Sequence, residues 1–443
     1  MNTGLLTDHY ELTMLRAALG SGVAHRQAVF EMFARHLPIG RRYGVVAGTG
    51  RFLDALDLFR FGDEELEFLN RAQIADAATL EFLRNYRFSG DIWGYAEGDC
   101  YFPGSPILVV EGTFAEAVIL ETIALSVFNH DCAIASAAAR MITAAGGRPL
   151  IEMGSRRAHE RSAVASARAA YIAGFATTSN LRAGYEFGIP TSGTSAHAFT
   201  LVHDYEPQAF KAQIAALGSG TTLLVDTYEV PAAIEAAVRQ AGTGLGAIRI
   251  DSGDLAHVAR AARVQLDALG ANRTRIIVTG DLDEFSIAAL AAAPVDGYGV
   301  GTSLVTGSGA PTAALVYKLV ARADGDGSGD LRPVAKRSVG KPSKGGRKWA
   351  VRILDGAGHA ATELVTDTDP GNAAEPGDPD PSGWATGGRP LLKRLVRSGE
   401  IIGREPVAAA RARHPAAVAE LPAHARQLSR GYPAIPTVFE PVG

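Results

Sequence analysis

Gly246-Ala-Ile-Arg-Ile-Asp-Ser-Gly-Asp254 reads as a strand that empties charge into a turn. Two β-branched isoleucines in a short apolar run predict a buried strand. Val258, Ala261, Ala262 and Leu266 follow at helical spacing, so a helix is expected from near Gly253. The strand delivers Arg249, Asp251, Ser252 and Asp254 to one end, and in α/β proteins that end is where the chemistry sits. One cation and two carboxylates at a single turn suit a sugar, a metal ion or a charged ring. The same residues admit a plain structural reading, in which Asp254 caps the helix and Arg249 pairs with Asp251.

Outward from this stretch the pattern repeats. Candidate strands are Pro149–Met153, Gly174–Thr178, Ile189–Gly193, Thr222–Thr227, Ala247–Asp251, Arg275–Gly280 and Asp296–Gly301, with helical segments between most of them. Such alternation predicts a parallel sheet flanked by helices. Polar residues gather after each strand, as in Gly154-Ser-Arg-Arg157, Thr177-Thr-Ser-Asn180, Thr194-Ser-Ala-His197 and Asp226-Thr-Tyr228. Strand ends ringed in this way predict a (β/α) barrel, with Ala313–Val320 as its eighth strand. An open doubly wound sheet is the alternative, because sequence does not show closure.

The flanks read differently. A helix is expected from Leu5 to Met14, with Thr7 as N-cap and Tyr10 either packed or offered to a site. Val29–Phe33 alternates like a strand, residues 48–87 read as two or three amphipathic helices, Phe88–Gly112 is β-like and Phe114–Ala145 is helical. Beyond Ala321 two strands, Arg332–Ser338 and Trp349–Leu354, flank a basic loop from Gly340 to Lys348. A Pro, Gly and Asp-rich loop or linker spans 367–390, and a closing helix is expected over Pro415–Ser429.

Composition excludes several classes. A length of 443 residues accommodates two domains, and 47% apolar content supports a large core. A net charge of −4 without a dense basic patch argues against nucleic-acid binding. Cys100 and Cys132 form neither a disulfide scaffold nor a metal pattern. The N-terminus carries no signal-like run, and the apolar stretch Ala115–Phe128 is interrupted by Glu116 and Glu121. A soluble cytoplasmic protein that spans no membrane is expected.

Each polar cluster carries two readings. Gly299-Val-Gly-Thr-Ser303 is a phosphate cradle, with glycine backbone and the Thr302 and Ser303 hydroxyls on an anion, or a tight capped turn. Asp281 and Asp226 are sugar-hydroxyl acceptors or helix caps. Arg156 and Arg157 hold a carboxylate or phosphate, or form surface ion pairs, with Met153 as an apolar wall. His197 is a structural histidine, or a nucleophile or proton carrier. No metal-spaced cluster stands out, so Mg²⁺ is expected only as a passenger on phosphates. Together the set fits a phosphorylated sugar reacting with a small anionic partner, with Asp251 near the positive charge developing on the sugar carbon.

Leu6-Thr-Asp-His-Tyr10, Glu152-Met-Gly-Ser-Arg-Arg157, Gly193-Thr-Ser-Ala-His197, Arg249-Ile-Asp-Ser-Gly-Asp254 and Gly299-Val-Gly-Thr302, in this order, resemble nicotinate phosphoribosyltransferase. The resemblance runs from the N-terminus to about Arg352. It implies condensation of nicotinate with phosphoribosyl pyrophosphate to nicotinate mononucleotide and pyrophosphate, with ATP hydrolysis coupled through phosphorylation of a histidine that His197 matches. It implies an irregular α/β barrel joined to an α/β domain built from both chain ends, here 1–130, 131–322 and 323–443. It further implies a homodimer with shared sites, in which Tyr10 stacks on the pyridine of the neighbouring subunit. Arg249 and Asp251 match residues gripping base and ribose. Asp281 and Gly299, Gly301, Thr302 and Ser303 match ribose and 5-phosphate contacts. Arg156 falls beside the pyridine, and Lys341, Lys344 and Arg347 resemble a basic loop facing phosphates. Sister enzymes that use nicotinamide carry an acid near Ser179; Thr178-Ser-Asn180 has none, so a carboxylate-bearing ring is not repelled. Where they have an aromatic wall this chain offers Met153. Alternatives are a nicotinamide or quinolinate phosphoribosyltransferase of the same fold, and a phosphate-binding barrel lyase. The lyase would want a Schiff-base lysine, and none of the seven strand exits has one. A non-catalytic sensor would be expected to have lost Arg249, Asp251 or Asp281, and all are present.

Overall fold

The computed structural model describes residues 2–324, 329–336, 343–370 and 388–440. The chain forms two compact units, Ile134–Pro311 and the combination of Met1–Ala133 with Thr312–Gly443.

The Ile134–Pro311 unit is built on a parallel sheet. Its strands are β1 (Leu150–Glu152), β2 (Thr177–Thr178), β3 (Thr222–Leu224), β4 (Ala247–Ile250), β5 (Arg275–Val278) and β6 (Gly297–Val300). They lie side by side in the order β2-β1-β6-β5-β4-β3. Register places Arg249 of β4 between Leu224 of β3 and Ile277 of β5. The strand expected over Ile189–Gly193 shrinks to one parallel bridge, Thr191 to Thr178. The curled sheet forms a half-barrel, the irregular (β/α) architecture expected, and among the described pairings none joins that edge to β3. The covering helices show why Ala is abundant. Val230–Ala241 buries Ala233, Ile234, Ala237 and Val238, and Leu255–Ala268 buries Ala259, Ala262 and Leu266. These are one helical face each, and small side chains let the helix approach the strands closely.

The proposed eighth strand is a correction. Leu315–Ala323 leaves the parallel sheet and pairs antiparallel with Gln27–Ala34 in the other unit. Its near-alternating burial suits an antiparallel sheet with one covered face. Tyr317 stacks on Phe30 with ring centroids 5.0 Å apart, and its hydroxyl donates to Ala117 O at 2.9 Å. Residues 312–322, expected in the barrel, therefore belong to the terminal unit.

That unit contains a seven-stranded sheet in the order Leu331–Pro333, Leu315–Ala323, Gln27–Ala34, Leu108–Thr113, Asp91–Tyr95, Leu392–Arg397, Glu400–Ile401. Both ends of the chain thus share one sheet, over a core that includes Leu15, Met32, Phe52, Phe59, Val110 and Phe128. Residues 48–87 supply three helices, Thr49–Asp57, Asp63–Arg71 and Ala77–Asn85. The first helix starts at His9 after Asp8; Thr7 is not its cap but donates its hydroxyl to Glu11. The closing helix is Val407–Ala419, earlier than expected, because Val407, Ala410, His414 and Ala417 set the buried face and Pro415 is carried inside it. The helical run Phe114–Ala145 lies where the sequence placed it, and it is long and apolar enough to cross a membrane by length and composition. Its most apolar window is 67% buried inside the protein, so it is consumed by core packing. Most of the 367–390 segment, and Lys341 of the basic loop, lie outside the described residues.

Candidate active site

The C-terminal ends of β3, β4 and β5 bring together residues far apart in sequence. β4 is wholly buried, with Ile248 and Ile250 on one face and Arg249 on the other, as period two requires. Arg249 donates from Nε to Thr279 Oγ1 at 2.9 Å, from Nη1 to Thr194 Oγ1 at 2.9 Å and Ser195 O at 3.3 Å, and from Nη2 to Asp251 Oδ1 at 2.9 Å. The Thr279 hydroxyl in turn donates to Asp251 Oδ1. Partial burial opposes ionisation of Asp251, but the Thr279 hydrogen bond, Arg249 and the nearby His197 outweigh it and hold the carboxyl below its ordinary value. Asp251 is therefore an anion at neutral pH, with 27% of its side chain exposed.

Neighbouring strand exits hold this centre in place. Asp226 Oδ2, just beyond β3, accepts from Asp251 N at 2.8 Å and Ser252 Oγ at 2.6 Å. Its Oδ1 is buried without a partner, as is Glu206 Oε1, and burial plus the Asp226 charge raise the Glu206 carboxyl above its ordinary value. Two oxygens of this kind suit a cation brought by phosphates, whereas no group of three or more His, Cys, Asp or Glu fit for a metal occurs among the described residues. His197 opens the short helix His197–Leu201, with Nδ1 3.2 Å from Thr227 Oγ1. Gly280 has φ +129°, and a Cβ there would stand 3.2 Å from Asp251 O, so this crossing needs glycine.

The structural readings resolve individually. Asp254 does cap its helix, accepting from His257 N at 3.0 Å, and Arg249 does pair with Asp251. The cap expected of Asp281 falls instead to Asp283, which accepts from Phe285 N and Ser286 N, leaving Asp281 exposed at the β5 exit. Arg156 and Arg157 lie exposed in a 3₁₀ turn, Ser155–Arg157, after β1, and neither forms an ion pair among the described residues. That turn is tied to the exposed Ser179 segment: Ser179 N donates to Glu152 O at 2.8 Å, and Asn180 Nδ2 donates to Ser155 Oγ at 2.9 Å. The buried Glu152 carboxylate braces the same two exits through Gly154 N and the Thr178 hydroxyl.

Gly299 lies inside β6, not in the turn after it. A Cβ there would meet Thr279 Cγ2 at 2.5 Å and Met153 Sδ at 2.7 Å, so glycine is required to let those two side chains pack. Gly301 precedes the helical turn Thr302–Val305, whose first N–H groups have no intrahelical acceptor, with Thr302 exposed and Ser303 half-buried. In the terminal unit Tyr10 is 45% exposed. Burial, then the Glu121 charge and hydrogen bond, raise its phenol above the ordinary value. Lys344 Nζ stands 3.5 Å from the Phe439 ring centre. Arg347 pairs with Glu111 at 2.8 Å and lies 3.3 Å from the Trp349 ring centre, so its guanidinium is already engaged within that unit. Thr194 and Thr227 entered the sequence reading only as members of the clusters Thr194–His197 and Asp226–Tyr228, and Thr279 and Glu206 were not singled out at all.

A curled parallel α/β sheet with an anionic carboxylate, a buried arginine and a histidine gathered at its strand exits is the arrangement in which α/β enzymes place their chemistry. Residues 5–129 match the family model described as the nicotinate phosphoribosyltransferase (NAPRTase) N-terminal domain. A Mycobacterium tuberculosis protein, nicotinate phosphoribosyltransferase pncB1, is 59% identical over 98% of this chain and 94% of its own length. The Bacillus subtilis nicotinate phosphoribosyltransferase is 37% identical over 80% of this chain and 74% of its own. Human nicotinic acid phosphoribosyltransferase superposes with a TM-score of 0.78 at 25% identity, covering 98% of this chain and 97% of that one. The chain belongs to the nicotinate phosphoribosyltransferase family.

Proposed function

We propose that this protein transfers the phosphoribosyl group of phosphoribosyl pyrophosphate to nicotinate, releasing pyrophosphate and nicotinate mononucleotide, with ATP hydrolysis coupled through His197. The observation that carries the reading is the Arg249–Asp251–Thr279 cluster beside His197 at the open end of the sheet. Asp251, ionised, stabilises positive charge as the sugar–pyrophosphate bond loosens. Asp281 takes a ribose hydroxyl, and Gly301, Thr302 and Ser303 take the 5-phosphate with backbone N–H and hydroxyl donors. Arg156 meets the nicotinate carboxylate, with Met153 as apolar wall and Ser179 leaving that end free of negative charge. Asp226 and Glu206, each with a carboxyl oxygen buried without a partner, would hold a Mg²⁺ carried in with the phosphates, which would supply neutralising charge to pyrophosphate. The enzyme acts in the cytoplasm as a homodimer, and the exposed ring of Tyr10 serves the neighbouring subunit's pyridine; Lys344 faces phosphates.

The test is a product assay with purified protein, Mg²⁺ and phosphoribosyl pyrophosphate. Nicotinate, nicotinamide and quinolinate are offered separately, each with and without ATP. Nicotinate mononucleotide from nicotinate alone, stimulated by ATP, is expected. Turnover of another pyridine moves the specificity, and no turnover of any refutes the reading.

A further inference from the structure

The segment Ser192–Ala196 carries His197 yet has no regular structure of its own. At its start Ser192 N donates to Thr178 O at 3.0 Å, and the Ser192 hydroxyl meets Thr177 Oγ1 at 2.7 Å. At its end His197 Nδ1 meets Thr227 Oγ1. Between these anchors it is gripped by Arg249 Nη1, through Thr194 Oγ1 at 2.9 Å and Ser195 O at 3.3 Å. The Thr194 hydroxyl accepts from the arginine and donates its own proton to Ser195 O at 3.3 Å, closing a three-membered ring of bonds. The same guanidinium holds Asp251 from Nη2 and Thr279 from Nε. A guanidinium is a rigid planar fork, so a rotation that alters one of these contacts alters the others.

We propose that Thr194 is a positioning residue that couples the histidine turn to the Arg249–Asp251 centre, keeping ATP hydrolysis in step with sugar transfer; this rests on the ATP-coupled reading above. Charge arriving at Asp251 turns Arg249, and Thr194 passes the movement to Ser195, two residues before His197. Without the Thr194 hydroxyl only the longer contact from Arg249 Nη1 to Ser195 O, at 3.3 Å, joins the histidine turn to the transfer centre, and the coupling weakens.

The readout is the ratio of ADP released to nicotinate mononucleotide formed, with nicotinate, phosphoribosyl pyrophosphate, ATP and Mg²⁺ all present. A loss of folded or active protein scales both quantities and leaves the ratio unmoved. Thr194→Val should raise the ratio by about tenfold or more, the lower end of what one hydrogen bond to a charged group is worth, and Thr194→Ser should keep it at the wild-type value. A wild-type ratio in Thr194→Val overturns the proposal, and so does a raised ratio in Thr194→Ser. Should the valine variant fail to melt cooperatively, Thr194→Ala against Thr194→Ser carries the same comparison with the same outcomes. Wild-type protein that forms product without releasing ADP refutes the ATP-coupled reading itself, and is seen before any variant is made.

Discussion

Thr279→Val removes the hydroxyl of a residue that is 3% exposed and leaves a side chain of nearly the same shape. Two bonds to charged groups go with it, one accepted from Arg249 Nε at 2.9 Å and one donated to Asp251. Each such bond is worth about 1.5–3 kcal/mol. Arg249 keeps its contacts to Thr194, Ser195 and Asp251, and the strand bond from Thr279 N to Ile250 O survives, so the pair is loosened and not dismantled. A net loss of about 2–3 kcal/mol at the transition state corresponds to roughly 30- to 150-fold in kcat/KM. A pH signature accompanies it. Burial raises the Asp251 carboxyl, and the Thr279 bond is the largest of the influences that bring it below its ordinary value. A carboxyl depressed in the folded state stabilises the fold above its unfolded pKa, and that stability is lost as pH falls through the folded value. Removing the hydroxyl lifts the folded value, so the acid limb of kcat/KM should move to higher pH, and the stability lost to acid should be lost at a higher pH too. Steady-state kinetics on nicotinate between acid and neutral pH, with Thr279→Ser as the hydroxyl-retaining control, measure both. A valine variant with wild-type kcat/KM and an unshifted acid limb would refute the view that this hydroxyl sets the Arg249–Asp251 pair.

Asp251→Ala should abolish nucleotide formation and also lower the melting temperature, because it strips the buried Arg249 of its counter-charge; unchanged turnover in a product assay would end its proposed role. His197→Ala should lose ATP stimulation and keep a slow ATP-independent condensation, and full ATP stimulation in this variant would show that the phosphohistidine lies elsewhere. Glu11 is fully buried and its carboxyl is pushed from 4.5 up to about 7 by that burial, against hydrogen bonds from Thr122 and Thr7. A raised folded value means that the stability from this group is fully present below its unfolded pKa and is lost as pH rises towards 7. Glu11→Gln, neutral throughout, should therefore lose less melting temperature than wild type between pH 5 and pH 8, and parallel thermal-shift profiles would refute the assignment.

The parallel sheet was legible because its strands are buried on both faces and read as short apolar runs closed by polar turns. Ala247–Ile250 and Gly297–Val300 fall where those runs were marked. Ala313–Val320 read the same way locally, and only its partner distinguishes it: it pairs with Gln27–Ala34, nearly three hundred positions earlier, a choice that depends on long-range packing such as Tyr317 on Phe30. Strand periodicity in either segment does not say which distant segment it pairs with. Charged site residues were also visible, since an arginine or aspartate at the end of an apolar run is conspicuous. The hydroxyls were not. Thr194, Thr227 and Thr279 are ordinary strand and turn residues by composition, and their importance comes from register, which sets Thr279 beside Asp251 by continuing the pairing of Val278 with Ile250. Gly299 illustrates the reverse: its glycine looked like a phosphate contact, while the space it occupies is needed by Met153 and Thr279.

The same hydrogen bonds bear on which arginine meets the pyridine carboxylate. A guanidinium has five N–H donors. Arg249 makes four hydrogen bonds within the protein, from Nε, twice from Nη1 and once from Nη2. One N–H remains, so Arg249 cannot offer a carboxylate two parallel bonds unless it releases Thr194, Ser195 or Asp251. Arg156, exposed on its 3₁₀ turn and without an ion pair among the described residues, has its fork available. Its position is set by Glu152 and Asn180, which tie the β1 and β2 exits together, so the fork is carried on a braced turn. On the proposed reading the labour is divided: Arg249 would be the orienting charge that fixes Asp251 and the histidine turn, and Arg156 the recognising one. On this division, loss of Arg156 weakens nicotinate binding, whereas loss of Arg249 disturbs the geometry of transfer itself.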